Sequence, residues 1–107
     1  MITDTDVERA LDYLRNEADA DAQARANSEY LGEWRKTERA RIVTEQAGMS
    51  TAAATAYAES HPDYLRALSA WRSAITEDYR RRFLREAAAA KIEAWRTMSS
   101  NVRAQRI

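Results

Sequence analysis

Cysteine is absent from the 107 residues, which excludes disulfides and thiolate chemistry. Proline occurs once and glycine twice, far below ordinary usage. These are the residues that break helices. Their scarcity, beside abundant Ala, Glu and Arg, argues for long helices and against a strand-rich fold, which needs turns. No apolar run approaches the ~20 residues of a membrane span, and the acidic segment Met1 to Val7 is not a secretory signal. A cytoplasmic protein is expected, in the host cytoplasm if phage-encoded. A single histidine, His61, leaves no partner for a metal site or a His-centred general base, and no Gly-rich phosphate loop is present. The expectation is a protein without enzymatic activity, cofactor or metal. His61 reads as a capping or turn residue.

What is present is unevenly distributed charge. Lys and Arg total 17 and so do Asp and Glu. Residues 1–31 carry eight acidic and three basic side chains, residues 32–71 five of each, and residues 72–107 four acidic and nine basic. Such asymmetry is informative where the zero total is not.

Thr5 and Glu8 have the spacing of a capping box. From Asp6 to Ala47 only Gly32 and the Asn27–Ser28 pair weaken a single long helix. Gly48 stands where a left-handed residue ends a helix. A short alanine-rich helix is expected over about 51–59, capped by Ser50 or Thr51. Pro62 and Asp63 suit the first turn of a third helix, about 62–100. Residues 101–107 are expected to fray. The reading is all-α, a single domain over 1–107: a long antiparallel helical hairpin with a short helix in its connector.

If the chain turns about Ala53–Ala54, Val7 meets Val102, Leu11 meets Met98, and Leu14 meets Trp95. The alanines at 18, 20 and 22 meet Ala87–Ala90, Tyr30 meets Tyr79, and Trp34 meets Ile75. Large then faces large at the ends and small faces small between. Leu68, Trp71, Ile75, Tyr79 and Phe83 form the clearest core stripe. One seam covers three tryptophans and five tyrosines poorly, so assembly into a helical homo-oligomer, a bundle or a ring, is expected.

Two basic groups are candidate phosphate contacts. With Tyr79 and Phe83 inward, Arg81 and Arg85 point outward, beside Arg80 and Arg82. On the first helix Arg35, Lys36, Arg39 and Arg41 form the second group. Arginine and lysine bind phosphate by charge, without sequence preference. The alternative is a solvated face paired with Glu77, Asp78, Glu86, Glu33 and Glu38. All three tryptophans precede arginine, at Trp34-Arg35, Trp71-Arg72 and Trp95-Arg96. They serve either as stacking platforms for single-stranded nucleic acid or as core anchors beside exposed cations. Arg96, Arg103 and Arg106 near the C-terminus either neutralise Asp4, Asp6, Glu8 and Asp12 across the hairpin or bind a protein partner of phage or host.

The segment Glu29–Arg41, the alanine-rich Gly48–Glu59 connector, His61-Pro62-Asp63-Tyr64, and Lys91-Ile92-Glu93-Ala94-Trp95-Arg96 together resemble small helical proteins of tailed phages encoded beside recombination genes. Their layout is similar to the T4-type recombination mediators (UvsY). The resemblance covers most of the chain from about residue 26. It implies a non-enzymatic accessory factor that oligomerises, binds single-stranded DNA, and helps a recombinase displace single-strand-binding protein. It would place DNA on Arg35, Lys36, Arg39 and Arg41. The acidic stretch Asp4–Asp21 departs from that pattern. A second class fits the same features: a small terminase-like packaging protein, forming a helical ring and docking a larger motor through its basic tail.

Overall fold

The computed structural model describes residues 1–106. Its elements are α1 (Asp4–Asn16), α2 (Ala18–Thr44), α3 (Thr51–Ser60) and α4 (Pro62–Gln105), with no strand among the described residues. The fold is an all-α antiparallel hairpin with a short helix in its connector. No helix among the described residues is long and apolar enough to cross a membrane.

Local chemistry sets the boundaries. The first cap is Thr3 rather than Thr5. Its hydroxyl accepts from the Asp6 N–H at 3.1 Å, and the Asp6 carboxylate accepts from the Thr3 N–H at 2.9 Å. The long first helix expected from the sequence is two helices, because Glu17 leaves helical geometry at φ −97°, ψ 0°. Asn16 is a poor helix former, and Asp19 and Asp21 favour a new N-terminus through their charge. Gly48, at φ +85°, makes the left-handed turn after α2. The Ser50 hydroxyl caps α3 by accepting from the Ala53 N–H at 3.2 Å. His61 ends α3, and its Nδ1 accepts from the Asp63 N–H at 3.0 Å. Pro62 opens α4, which runs on to Gln105 instead of fraying at 100.

Contacts divide the chain into two compact units. One comprises Met1–Ala22 with Tyr79–Ile107, the other Gln23–Asp78. In the second, Ile42, Ala58 and Tyr64 form the buried core, with Val43 and Leu68 against it. Gly32 lets the Trp71 indole approach: a Cβ there would lie 2.9 Å from Trp71 Nε1. The same indole carries the Arg35 guanidinium over its ring, 4.3 Å from the centroid.

In the unit holding both termini, Val7, Ala10 and Ala88 are buried. The Trp95 indole N–H donates to the Asp4 carboxylate at 2.9 Å. Asp4 lies about 15 Å along the helix from Leu14, so the expected Leu14–Trp95 register is displaced by nearly three turns. Residue counting placed the fold axis at the middle of the sequence. The actual register follows where α2 ends and α4 begins, and the interruption at Glu17.

The stripe on α4 also differs. Its inward residues are Tyr64, Ala67, Trp71, Ala74 and Asp78 in one unit, then Arg81, Arg85, Ala88, Ile92 and Trp95 in the other. They alternate steps of three and four, the spacing that keeps a seam on one face. The expected stripe takes successive steps of four after Trp71, and each adds about 40° of rotation. Tyr79 and Phe83 therefore leave the core and are 52% and 64% exposed.

Candidate nucleic-acid interface

The same rotation turns Arg81 and Arg85 inward, against the expectation that they face solvent. Arg81 Nη1 reaches Glu17 Oε2 at 3.2 Å and Asp21 Oδ1 at 3.3 Å. Arg85 Nη1 lies 3.3 Å from Asp21 Oδ2. That last contact is a charge contact without hydrogen-bond alignment, which leaves Oδ2 short of a bond. Asp21 is only 6% exposed. A buried carboxylate needs such partners, so these arginines are committed to the hairpin. Arg35 is also structural. It stacks on Trp71, its Nη1 donates to the Tyr64 hydroxyl at 3.3 Å, and its Nε is buried.

The rest of the first-helix group lies among carboxylates. Lys36 reaches Glu33 at 3.5 Å and Arg39 reaches Glu59 at 3.5 Å. Arg41 contacts Glu38, Glu45 and Asp63 at 3.0 to 3.1 Å. Hydrogen bonds to Glu38, then Glu45, raise the Arg41 pKa above its ordinary value. Asp63 also takes Arg66. This is the solvated, paired face that the sequence left open as an alternative.

Outward on α4, Tyr79 and Phe83 stand one turn apart, with exposed Arg80 and Arg82 to either side. Arg82 pairs with Glu86 at 3.0 Å, both side chains more than half exposed. Exposed pairs of this kind are worth little and exchange readily for another anion. Arg72 is exposed on α4 in the other unit, one residue from the anchored Trp71. Of the three tryptophans, Trp71 and Trp95 are held by Arg35 and Asp4 as anchors, and Trp34 lies at the surface.

The tail arginines do not neutralise α1. Arg96 pairs with Glu93 on its own helix at 3.5 Å, and Arg103 donates to the Ser100 hydroxyl at 3.5 Å. Arg106 is exposed. The hairpin register carries these residues past the acidic helix.

Two features escaped the sequence reading. The first is the acidic half of the inner cluster, Glu17 and Asp21. Its signal was present: Val7, Leu14, Asp21, Ser28, Arg35 and Ile42 recur at one seven-residue interval, so Asp21 and Arg35 share the phase of the core. The second is a cleft of about 300 Å³ beside Ala10 and Ala88, flanked by Tyr13, Asp6, Arg9 and Lys91. There the Thr3 N–H, the Thr3 hydroxyl, and more weakly Lys91 and Arg9 hold the Asp6 carboxyl below its ordinary pKa.

No group of three or more metal-ligating side chains occurs among the described residues. Comparison with family models, with curated proteins and with solved structures finds no match.

Proposed function

We propose that the protein is a non-enzymatic accessory factor of phage-type DNA recombination that binds single-stranded DNA on the outer face of α4. The observation that carries this reading is the pair of exposed rings, Tyr79 and Phe83, flanked by Arg80 and Arg82. A soluble helix gains nothing from holding a phenylalanine in water, and clustered exposed rings mark contact surfaces. Rings that accept bases, beside guanidinium groups that accept phosphates, are the elements of sequence-tolerant single-strand binding. Relative to the sequence expectation, the interface loses Arg35, Arg81 and Arg85 to the fold and gains the two rings. Lys36, Arg39 and Arg41 stay with their carboxylates and drop out of the proposed interface. The recombination context rests on the resemblance of the sequence layout to phage recombination proteins alone.

The test is anisotropy of labelled single-stranded and duplex DNA at low and high salt. Tyr79→Ala with Phe83→Ala should weaken single-strand binding at least tenfold, since each stacked base contributes roughly 1–3 kcal/mol. Arg80→Ala with Arg82→Ala should flatten the salt dependence by about one to two phosphate contacts. Absence of binding at low salt, or affinity indifferent to both double variants, would refute the reading.

A second reading, a terminase-like packaging protein that docks a larger motor through Arg96, Arg103 and Arg106, is favoured by one observation. An apolar groove of about 340 Å³ is bordered by Arg103.

A further inference from the structure

The groove beside Arg103 is lined by Met1, Ile2, Trp95, Met98 and Val102. It exists because α4 outruns its partner helix. Trp95 is already opposite Asp4, the first residue of α1, yet α4 continues to Gln105. Among the described residues, the non-helical Met1 and Ile2 line the groove beside these last turns. Val102 is left 46% exposed. Arg103 borders the groove and Arg106 is exposed three residues further on, and no carboxylate pairs with either among the described residues.

The outer face of α1 has the opposite character. Glu8, Leu11 and Asp12 follow at helical spacing, and Leu11 is 50% exposed. Glu8 pairs with no cation among the described residues, and Asp12 pairs only with exposed Arg15 on its own helix. Glu8 and Asp12 thus share a unit with Arg103 and Arg106 without pairing across it, unlike Glu17 and Asp21, which meet Arg81 and Arg85.

We infer that the groove receives α1 of a second copy of this chain. Leu11 of that copy enters the apolar floor, while its Glu8 and Asp12 meet Arg103 and Arg106. The floor favours a protein side chain over a nucleic-acid phosphate, and the charges match in sign and number. Donor and acceptor surfaces belong to the same unit, so two copies can make the contact reciprocally about a two-fold axis. The contact involves none of Tyr79, Arg80, Arg82 or Phe83, so it stands or falls separately from DNA binding.

Charge exchange tests it. Wild-type mass, measured by sedimentation equilibrium on the full chain, should be that of a dimer or larger at low salt and fall as salt screens the contact. Arg103→Glu with Arg106→Glu should give monomers, and so should Glu8→Lys with Asp12→Lys. Mixing the two variants should restore association, because both reciprocal contacts then regain opposite charge. Circular dichroism checks that each variant keeps its helices. Should either fail to fold, Leu11→Asp supplies a third, single-site variant that should be monomeric. A wild type monomeric at low salt would overturn the inference. So would an oligomer whose mass ignores these changes, or folded charge-exchanged variants that fail to associate when mixed.

Discussion

Asp21→Ala is the sharpest probe of the inward arginines. It removes the carboxylate that meets both Arg81 and Arg85, while Glu17 stays beside Arg81. Breaking a fully buried ion pair from one side costs about 3–5 kcal/mol. Here the arginine side chains keep 25% and 34% of their exposure, so water offsets part of that loss and about 2 kcal/mol is expected. For a domain of this size that lowers the melting temperature by roughly 10 °C. Urea unfolding followed by circular dichroism measures it. Arg82→Ala is the control, since its pair with Glu86 is exposed, and it should change stability by less than about 0.5 kcal/mol. Replacing Asp21, Arg81 and Arg85 together by leucine should recover the loss, because apolar packing of such a cluster is often neutral or stabilising. An Asp21→Ala variant as stable as the control would mean that Arg81 and Arg85 face solvent, as the sequence stripe suggested. The assignment of the core face of α4 would then fail.

Gly32→Ala should destabilise despite improving helix propensity by about 1 kcal/mol. The new Cβ would stand 2.9 Å from an indole already stacked under Arg35, and overpacking of this kind costs about 1–3 kcal/mol. A raised unfolding midpoint would contradict the close approach of Trp71. The Asp6 cap predicts a pH dependence with a definite sign. The folded carboxyl lies below its ordinary pKa of 3.8, chiefly through the Thr3 N–H. Its contribution is therefore present above the unfolded pKa and is lost as pH falls through the folded one. Asp6→Asn should remove that part of the acid transition, and an unchanged acid limb would exclude the cap as its source.

Much of the helical architecture is legible in particular residues. Gly48, Ser50 and Pro62 act through backbone geometry and local hydrogen bonds, which depend on neighbours a few positions away. The connector, the short helix and the start of α4 follow from them. The caps could err only by small slips, as with Thr3 for Thr5. The break at Glu17 was harder to read, because no proline or glycine marks it and Asn16 and Asp19 are only weak signals.

The candidate interface was not local in this sense. Arg80, Arg81, Arg82 and Arg85 are adjacent in sequence and chemically equivalent, yet two are turned inward and two outward. Choosing between them required knowing whether the seam steps by four from Trp71 to Phe83 or alternates three and four through Ala74, Asp78 and Arg81. An apolar tally favours the first because tyrosine and phenylalanine outscore alanine, aspartate and arginine. Pairing across the hairpin favours the second. Asp21 offers arginines a partner, and small alanines admit a neighbouring helix where rings would not.

The amino-acid sequence by itself determined that this chain is helical, where it turns, and that its two ends differ in charge, since these depend on short-range propensity and composition. Only the tertiary structure decided which arginines are spent on the hairpin and which stand beside exposed rings. That outcome depends on register, and register is set by contacts between residues some sixty positions apart, such as Asp21 and Arg81.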